Sequence, residues 1–222
     1  MWLFKFPSIR EIYFGYIMKE KNSIIFDIGN VLVRWSPDEI VNLTFNDNNR
    51  KYEHIKNIFK SDIWYKLNLG EIDIYTAKKE YISRFNYTNY QIDTLIYYIK
   101  STQIEIYETS KILEKLYQEN YKLYALTDNI IEVTEHLKKH YNFWMYFTDI
   151  VISAEVGLLK SDIRIFEYLI DKHKFTPQNT IFIDDHKPNI DIAKSTGINT
   201  ILFVDAYQLE SDLRKFYDIN LN

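Results

Sequence analysis

The stretch SIIFDIGNVLV, residues 23–33, decides the fold, because a short apolar run in it ends at a single carboxylate, Asp27. A glycine and an asparagine follow almost at once, and then a second apolar run begins. A run of Ile and Phe residues without alternation is typical of a strand that is covered on both faces, as in a parallel sheet. We therefore predict a buried strand at 23–26 that brings Asp27 to the edge of a sheet.

Four further apolar runs along the chain have the same character. They are rich in Ile, Val, Phe or Tyr and lie at 121–126, 149–153, 180–183 and 200–204. Segments in which apolar residues recur at helical spacing lie between them, at 106–119, 130–140 and 163–173. Strands that alternate with helices indicate an α/β domain with a doubly wound parallel sheet. We therefore predict a Rossmann-like α/β core.

Residues 36–105 have a different pattern, because helical spacing dominates and no segment alternates convincingly as a strand. The helix-like segments are DEIVNLTF, HIKNIFKSDIWYKL, EIDIYTAKKEYISRF and NYQIDTLIYYIK. We predict a small all-helical cap at 36–105, inserted after the first strand of a core made of 23–35 and 106–222. Residues 1–22 would then be an N-terminal extension, and Met18 is an alternative start of the chain.

The composition of the 222 residues is ordinary for a globular protein, with 46% hydrophobic and 26% charged residues. The net charge is −4 and Lys and Arg form no run, so we expect no nucleic acid partner. No segment reaches the roughly 18 apolar residues of a membrane span, and the aromatic residues 1–17 lack a signal-peptide cleavage site. The absence of cysteine excludes disulfides and thiolate metal sites. We expect a cytoplasmic protein without a membrane partner, while the oligomeric state leaves no trace in the sequence.

Polar residues follow the predicted strands, close to the point where each strand ends. They are Asp27, Thr127, Asp128, Asn129, Lys160, Asp184, Asp185 and Asn189. Ligands of open α/β sheets bind at the carboxyl ends of the strands, so parallel strands would bring these groups together. Each residue alone has a simpler explanation as a helix cap, a turn or a surface residue. Their order along the chain favours a shared site, and a cation would relieve the repulsion between the adjacent Asp184 and Asp185.

The polar segments resemble the four motifs of the haloacid dehalogenase-like hydrolase superfamily, in the order of that superfamily. They read FDIGNVL, LTDN, GLLKSDIRIF and FIDDHKPNIDIAKSTGINTILF, and the match extends roughly over 23–205. The phrase FDIGNV, and KLNLGEID in the cap, are most similar to the branch of sugar-phosphate phosphatases that resembles α-glucose-1-phosphatase. The N-terminal phosphatase domain of soluble epoxide hydrolase is similar as well.

This resemblance implies phosphoryl transfer through an aspartyl-phosphate, with Asp27 as the nucleophile. It implies a Mg²⁺ site made by the Asp27 side chain, the Gly29 carbonyl oxygen and Asp185. Asp184 and Asn189 would support these ligands. Gly29 would also let the backbone turn towards the metal.

The resemblance implies a phosphate-binding side of the site too. Lys160 would place positive charge on the phosphoryl oxygens and on Asp27. The Thr127 hydroxyl and backbone N–H groups of the turn that it opens, at Asp128 and Asn129, would bind the phosphate. The implied partner is a small phosphorylated metabolite, with a sugar phosphate first and a nucleotide or another phosphomonoester second.

Position 29 departs from the commonest first motif, in which an Asp protonates the leaving group and later activates water. General acid–base help is typically worth about 10²–10⁴-fold, so Gly29 needs an explanation. Three explanations are open. The enzyme uses water or another group as the acid, or it acts on an ester with a good leaving group. Alternatively, it is a weak or inactive phosphatase that binds a phosphorylated ligand or partner. Metal-independent haloacid dehalogenation is a further alternative, which the Asp184–Asp185 pair disfavours.

Substrate choice is expected to depend on the cap, because the core residues bind and react with the phosphate group, which all phosphate esters share. The cap and its first hinge offer aromatic and basic candidates at Arg34, Trp35, Trp64, Tyr65, Tyr75 and Arg84. Aromatic residues at helical spacing also fit the interior of the cap, and the arginines also fit its surface. His186, beside the acidic pair, is a candidate for tuning the site or an exposed loop residue. We expect solvent-exposed positions for the histidines in helix-like segments, His54, His136, His140 and His173.

Overall fold

The structure is a computed structural model that describes residues 22–221. The predicted N-terminal extension, apart from Asn22, lies outside these residues, as does the alternative start at Met18. Within the described chain, five strands form one sheet in which all neighbouring strands are parallel, in the order β3-β2-β1-β4-β5. The strands are β1 (Ser23–Phe26), β2 (Lys122–Thr127), β3 (Asp149–Ile152), β4 (Thr180–Asp184) and β5 (Asn199–Leu202). The predicted α/β fold with a doubly wound parallel sheet is confirmed.

The central strand β1 is buried on both of its faces. Ile24 and Phe26 belong to one apolar cluster, and Ile25 belongs to a second cluster that includes Phe166 and Phe182. Fully burying such a side chain stabilises the fold by roughly 1.5–3 kcal/mol. The unalternating sequence of β1 is therefore explained by cover on both sides, and this cover fixes the backbone just before Asp27.

Helices are inserted between β1 and β2. In chain order they are α1 (Pro37–Phe45), α2 (Lys51–Phe59), α3 (Asp62–Asn68), α4 (Ile74–Phe85) and α5 (Asn89–Ser101). The helix-like segment HIKNIFKSDIWYKL is divided into α2 and α3, because the Ser61 side chain caps α3. Its Oγ accepts a hydrogen bond from the Trp64 N–H at 3.3 Å, a contact that favours a helix start at this point.

The remaining α-helices follow the insert and pack on the two faces of the sheet. They are α6 (Tyr107–Gln118), α7 (Ile131–His140), α8 (Ser153–Val156), α9 (Ile163–His173), α10 (Lys187–Ser195) and α11 (Ala206–Tyr217). No helix among residues 22–221 combines the length and the apolar character needed to cross a bilayer.

The insert is tied to the core at two places. Its entry and exit run side by side, since the Arg34 N–H donates to the Ile104 carbonyl and the Ile106 N–H donates to the Leu32 carbonyl, both at 2.8 Å. At its other end Gly70 approaches the start of α8 closely. A Cβ atom on Gly70 would lie 2.1 Å from the Ala154 carbonyl oxygen. Only a residue without a side chain permits this approach.

The carboxyl ends of β1, β2 and β4 lie at one edge of the sheet. Phe26 pairs in register with Ala125 on one side and with Ile183 on the other. The residues that follow these positions, Asp27 and Asp184 among them, are therefore neighbours in space although they are far apart in the chain.

Candidate active site

Asp27 lies directly after β1, and its carboxylate is held from two directions. Only 6% of the residue is exposed. Its Oδ1 accepts a hydrogen bond from the Ile28 N–H at 2.6 Å and lies 2.7 Å from the Lys160 Nζ. The Asp27 N–H donates to the Ile183 carbonyl at 2.9 Å and so anchors the residue to β4. The carboxylate is thus fixed in position at the sheet edge.

Lys160 is buried between two carboxylates. Its Nζ is 2.7 Å from Asp27 Oδ1 and 2.7 Å from Asp184 Oδ2. Its backbone N–H donates to Asp128 Oδ1 at 2.9 Å. Asp128, which we expected to bind substrate, lines the cavity but also anchors the segment that carries the lysine.

The adjacent acids after β4 have different surroundings. Asp184 is fully buried and accepts hydrogen bonds from the Asn189 Nδ2, at 3.1 Å to Oδ2, and from the His186 N–H at 2.7 Å. Asp185 is exposed, and its Oδ2 accepts from the Asn30 Nδ2 at 3.0 Å. Asn189 thus supports the buried acid, and Asn30 links the first motif to the last one.

Three carboxylates form a group that could hold a metal ion. One oxygen from each of Asp27, Asp184 and Asp185 lies within 4.8 Å of the others. No described residue donates to the Gly29 carbonyl oxygen, and Gly29 lines the same cavity. Carboxylate and carbonyl oxygens are the ligands that Mg²⁺ prefers. The donor set therefore fits a hard divalent cation.

The burial of this group shifts its pKa values. Burial raises the pKa of Asp27 well above its ordinary value, the Lys160 ammonium opposes the shift, and the Asp184 carboxylate adds to it. Burial alone lowers the pKa of Lys160, but the Asp27, Asp184 and Asp128 carboxylates together raise it above its ordinary value. Lys160 therefore stays charged. Acidic side chains still outnumber basic ones here, so a further cation would stabilise the site.

The turn after β2 offers donors to the same cavity. Thr127 is buried at the end of β2, and no described residue bonds its hydroxyl. The Asn129 N–H donates to the Ser153 Oγ at 3.0 Å, and the Ile130 N–H donates to Asn129 Oδ1 at 2.9 Å. The Asn129 N–H, which we expected to bind the phosphate, is therefore already bonded within the protein. Among residues 127–130, the hydroxyl of Thr127 and the Asp128 N–H lack a described partner.

A cavity of about 570 Å³ joins this edge of the core to the insert. Trp35, Phe59 and Trp64 line it on the insert side. The Trp35 and Trp64 rings are stacked at 5.8 Å between centroids, and Phe59 meets both of them edge-on. Tyr65 and His186 also line the cavity. The cavity therefore has charged residues on the core side, and Trp35, Phe59 and Trp64 form an aromatic wall on the insert side.

The other candidates for contact with the substrate do not line the cavity. Arg34 is paired with Glu39 at 2.6 Å, and Arg84 is paired with Asp62 at 2.7 Å. Tyr75 is 63% exposed and is not part of the cavity lining. The two arginines are surface residues in this structure.

Several expectations about single residues are corrected by the structure. Asn30, with φ 54°, takes the left-handed conformation of the first-motif turn, and Gly29 does not. His54 is buried rather than exposed, and its Nδ1 is 2.8 Å from the Tyr87 hydroxyl. His173 is mostly buried and lies 2.9 Å from Asp149.

Sequence reasoning also missed four polar residues that shape the site. They are Asn30, Asn68, Gln103 and Ser153. The Asn30 side chain meets a partner 155 residues away, so no local pattern announces the contact. The one signal in the sequence is the Gly29–Asn30 pair after the first strand, since Asn tolerates the αL conformation of a turn better than most residues.

Comparisons with known proteins agree with this geometry. The sequence model of a family described as haloacid dehalogenase-like hydrolase matches residues 24–203. The sesquiterpene phosphatase astK of Aspergillus oryzae is 22% identical over 191 residues, which cover 86% of this chain and 94% of that protein. Bifunctional epoxide hydrolase 2 of Mus musculus is 27% identical over 88 residues, which cover 40% of this chain and only 15% of that protein.

A solved structure has the same fold. It is a HAD family enzyme from Bacteroides thetaiotaomicron in complex with magnesium and inorganic phosphate, with a TM-score of 0.71 and 19% identity. The similarity covers 83% of this chain and 95% of that one. Since the family match extends over most of the chain, from the second residue of β1 to just beyond β5, this protein belongs to the haloacid dehalogenase-like hydrolase family.

Proposed function

We propose that this protein is a Mg²⁺-dependent phosphatase that hydrolyses a small phosphomonoester, with a sugar phosphate favoured, through an aspartyl-phosphate on Asp27. The observation that carries the proposal is the placement of the Asp27 carboxylate 2.7 Å from the Lys160 ammonium and beside the Asp184 and Asp185 carboxylates. A phosphatase relative and a related structure that holds magnesium and phosphate support it.

In the proposed reaction an Asp27 oxygen attacks phosphorus, and the bond from phosphorus to the ester oxygen breaks. The alcohol leaves with a proton taken from water, and a second water then cleaves the aspartyl-phosphate to release inorganic phosphate. Two unit charges about 4 Å apart repel by roughly 4 kcal/mol at an effective dielectric near 20, so the approach of two anions must be offset. Lys160 supplies part of this offset, because its charge faces Asp27 directly.

A bound Mg²⁺ would neutralise the remaining negative charge of the phosphate and the acids. Asp27, the Gly29 carbonyl oxygen and Asp185 would hold it. Asp184 would act mainly as a support, because it accepts hydrogen bonds from Lys160 and Asn189 and so fixes the positions of these two side chains. The Thr127 hydroxyl would donate to a phosphoryl oxygen, with Asp128 and Asn129 shaping the turn around it.

A second candidate function is the binding of a phosphorylated ligand with weak catalysis or none. The absence of an acid at Gly29 favours it, because nothing at that position can protonate a poor leaving group. Metal-independent dehalogenation is disfavoured, since such a reaction gains nothing from the acids beside Asp27.

Release of inorganic phosphate from a panel of small esters, with and without Mg²⁺, tests the proposal. We expect release from at least one ester, inhibition by EDTA, and no turnover by Asp27→Asn. Asp171→Asn, at an exposed acid paired with Lys174, is the matched control and should retain activity. Binding of esters without release across the panel would instead support the second candidate.

We also propose that the chain divides into a core of 23–35 and 106–222 and a cap of 36–105. The paired backbone at Arg34 and Ile104 supports this division, because a single hinge there would carry the whole insert. The cytoplasmic location stays a prediction.

A further inference from the structure

Two buried amide side chains line the insert side of the cavity and take no part in the proposed reaction. Asn68 is the last residue of α3 and is 6% exposed, and Gln103 follows α5 and is 3% exposed. A buried polar side chain normally has its hydrogen bonds satisfied, so the partners of both amides are informative.

Each amide uses its NH₂ group inside the protein. The Asn68 Nδ2 donates to the Trp64 carbonyl and the Gln103 Nε2 donates to the Ile99 carbonyl, both at 2.8 Å. Because both partners are carbonyl oxygens, the side-chain oxygens must point the other way. Among residues 22–221, no donor reaches Asn68 Oδ1 or Gln103 Oε1.

The nearby Ser61 hydroxyl is already satisfied. It donates to the Ile58 carbonyl at 2.8 Å and accepts from the Trp64 N–H. The insert side therefore offers, beside an aromatic wall, two acceptor oxygens that remain accessible from the cavity on otherwise buried residues and have no donor within the protein.

We propose that Asn68 and Gln103 select the alcohol part of the ester, by accepting hydrogen bonds from its hydroxyl groups while its carbon skeleton packs on Trp35 and Trp64. This rests on the proposed function. The selected class is a hydroxylated phosphomonoester, a sugar or polyol phosphate. An ester without hydroxyl groups would cover both oxygens without supplying a donor, and sites of this kind reject such analogues strongly.

A matched set of three esters separates this selection from phosphate recognition. Glucose 6-phosphate and mannose 6-phosphate carry ring hydroxyls, whereas cyclohexylmethyl phosphate has a ring of the same size without them. All three release a primary alcohol, so leaving-group chemistry does not distinguish them. Calorimetric binding to the Asp27→Asn protein with Mg²⁺ measures selection without turnover, and phosphate release by the unsubstituted protein measures turnover separately.

The variants are Asn68→Leu and Gln103→Leu, with Thr102→Val as the control. Thr102 makes the same kind of bond, from its Oγ1 to the Tyr98 carbonyl at 2.7 Å, but it does not line the cavity. Each leucine variant should weaken binding of a hydroxylated ester by about tenfold and leave cyclohexylmethyl phosphate within about twofold. Thr102→Val should keep the ester preference intact.

Equal binding of all three esters, no binding of any of them, or an equal loss for both ester types in the leucine variants would overturn the inference. The last outcome would assign the amides a purely structural role. Selective binding without phosphate release would uphold it and would contradict the proposed phosphatase instead.

Discussion

Residue 29 is a glycine, although its backbone conformation and its surroundings would allow a residue with a side chain. The φ angle of Gly29 is outside the left-handed region, and a Cβ atom there would meet only the Trp35 Cβ, at an ordinary 3.8 Å. The absence of an acid is therefore a chemical property of this site and not a steric requirement of the turn.

We predict that Gly29→Asp raises kcat for alkyl phosphates by at least about tenfold, because the new carboxyl can protonate the leaving alcohol. Its acidic neighbours would raise its pKa and favour the protonated form that this role needs. For p-nitrophenyl phosphate, whose leaving group needs no proton, we expect a much smaller gain. Steady-state rates of phosphate release measure both.

Gly29→Asn is the control for this substitution, since it adds a side chain of the same size without an acid. If Asn and Asp accelerate the alkyl esters equally, or if the two ester types gain equally from Asp, the proposed role of position 29 is wrong.

Single residues also mark the limit of prediction from sequence. The positions of Asp27, Thr127 and Asp184 follow from strand ends, because parallel strands in register bring their carboxyl ends to one edge. The contact of Asn30 with Asp185, and the position of Gln103 at the same cavity as Asp27, depend on packing between distant segments. No periodicity in the sequence encodes such contacts.

At the scale of elements, the contact between Gly70 and α8 sets how closely the insert meets the core. Gly70 has φ +69°, and a Cβ atom there would overlap the Ala154 carbonyl oxygen. The sequence places Gly70 in the GEI segment of the insert, but the partner across the interface is visible only in the fold.

We predict that Gly70→Ala lowers kcat/KM by about tenfold or more, because it displaces α3, whose Trp64 and Asn68 line the cavity. Overpacking typically costs about 1–3 kcal/mol, in addition to the backbone strain. Gly157→Ala is the matched control, since Gly157 has φ +68° but nothing within 4 Å of its Cβ position. Urea unfolding and ester kinetics measure both effects, and equal losses in the two variants would contradict the prediction.

The insert also contains a pH-sensitive contact in α2. His54 is stacked on Phe45, and burial, followed by the charge of Arg50, lowers its pKa below the ordinary value near 6.5. Its contribution to stability is present above the unfolded-state pKa and is lost as the pH falls through the folded-state pKa. We predict that His54→Gln, which retains a partner for Tyr87, flattens the decrease in unfolding free energy between pH 7 and pH 5.

The His54 effect is limited to about 1.4 kcal/mol per pH unit, the value for one proton. Chemical denaturation at a series of pH values measures it, with His140→Gln as the control at an exposed position. A parallel pH dependence in the His54→Gln and unsubstituted proteins would assign the acid sensitivity to other groups.

At the scale of the whole molecule, the acids at the sheet edge connect cation binding to stability. The Asp27, Asp184 and Asp185 oxygens converge only in the folded chain, since Asp27 and Asp184 are 157 positions apart in the sequence (184 − 27). A ligand that binds only the folded state stabilises it by about 2.7 kcal/mol at a hundredfold excess over its Kd. Mg²⁺ should therefore raise the Tm without any substrate.

For a chain of this size we expect a rise of about 5–10 °C at saturating Mg²⁺. Asp185→Asn should reduce the rise, because it removes a charged oxygen from the proposed ligands. Asp191→Asn, at an exposed acid paired with Lys187, should leave it unchanged. Thermal unfolding followed by circular dichroism measures the rise in Tm for both variants. General screening of the net charge of −4 would raise the Tm of both variants equally, and a monovalent salt would have the same effect. A specific site would not behave in this way.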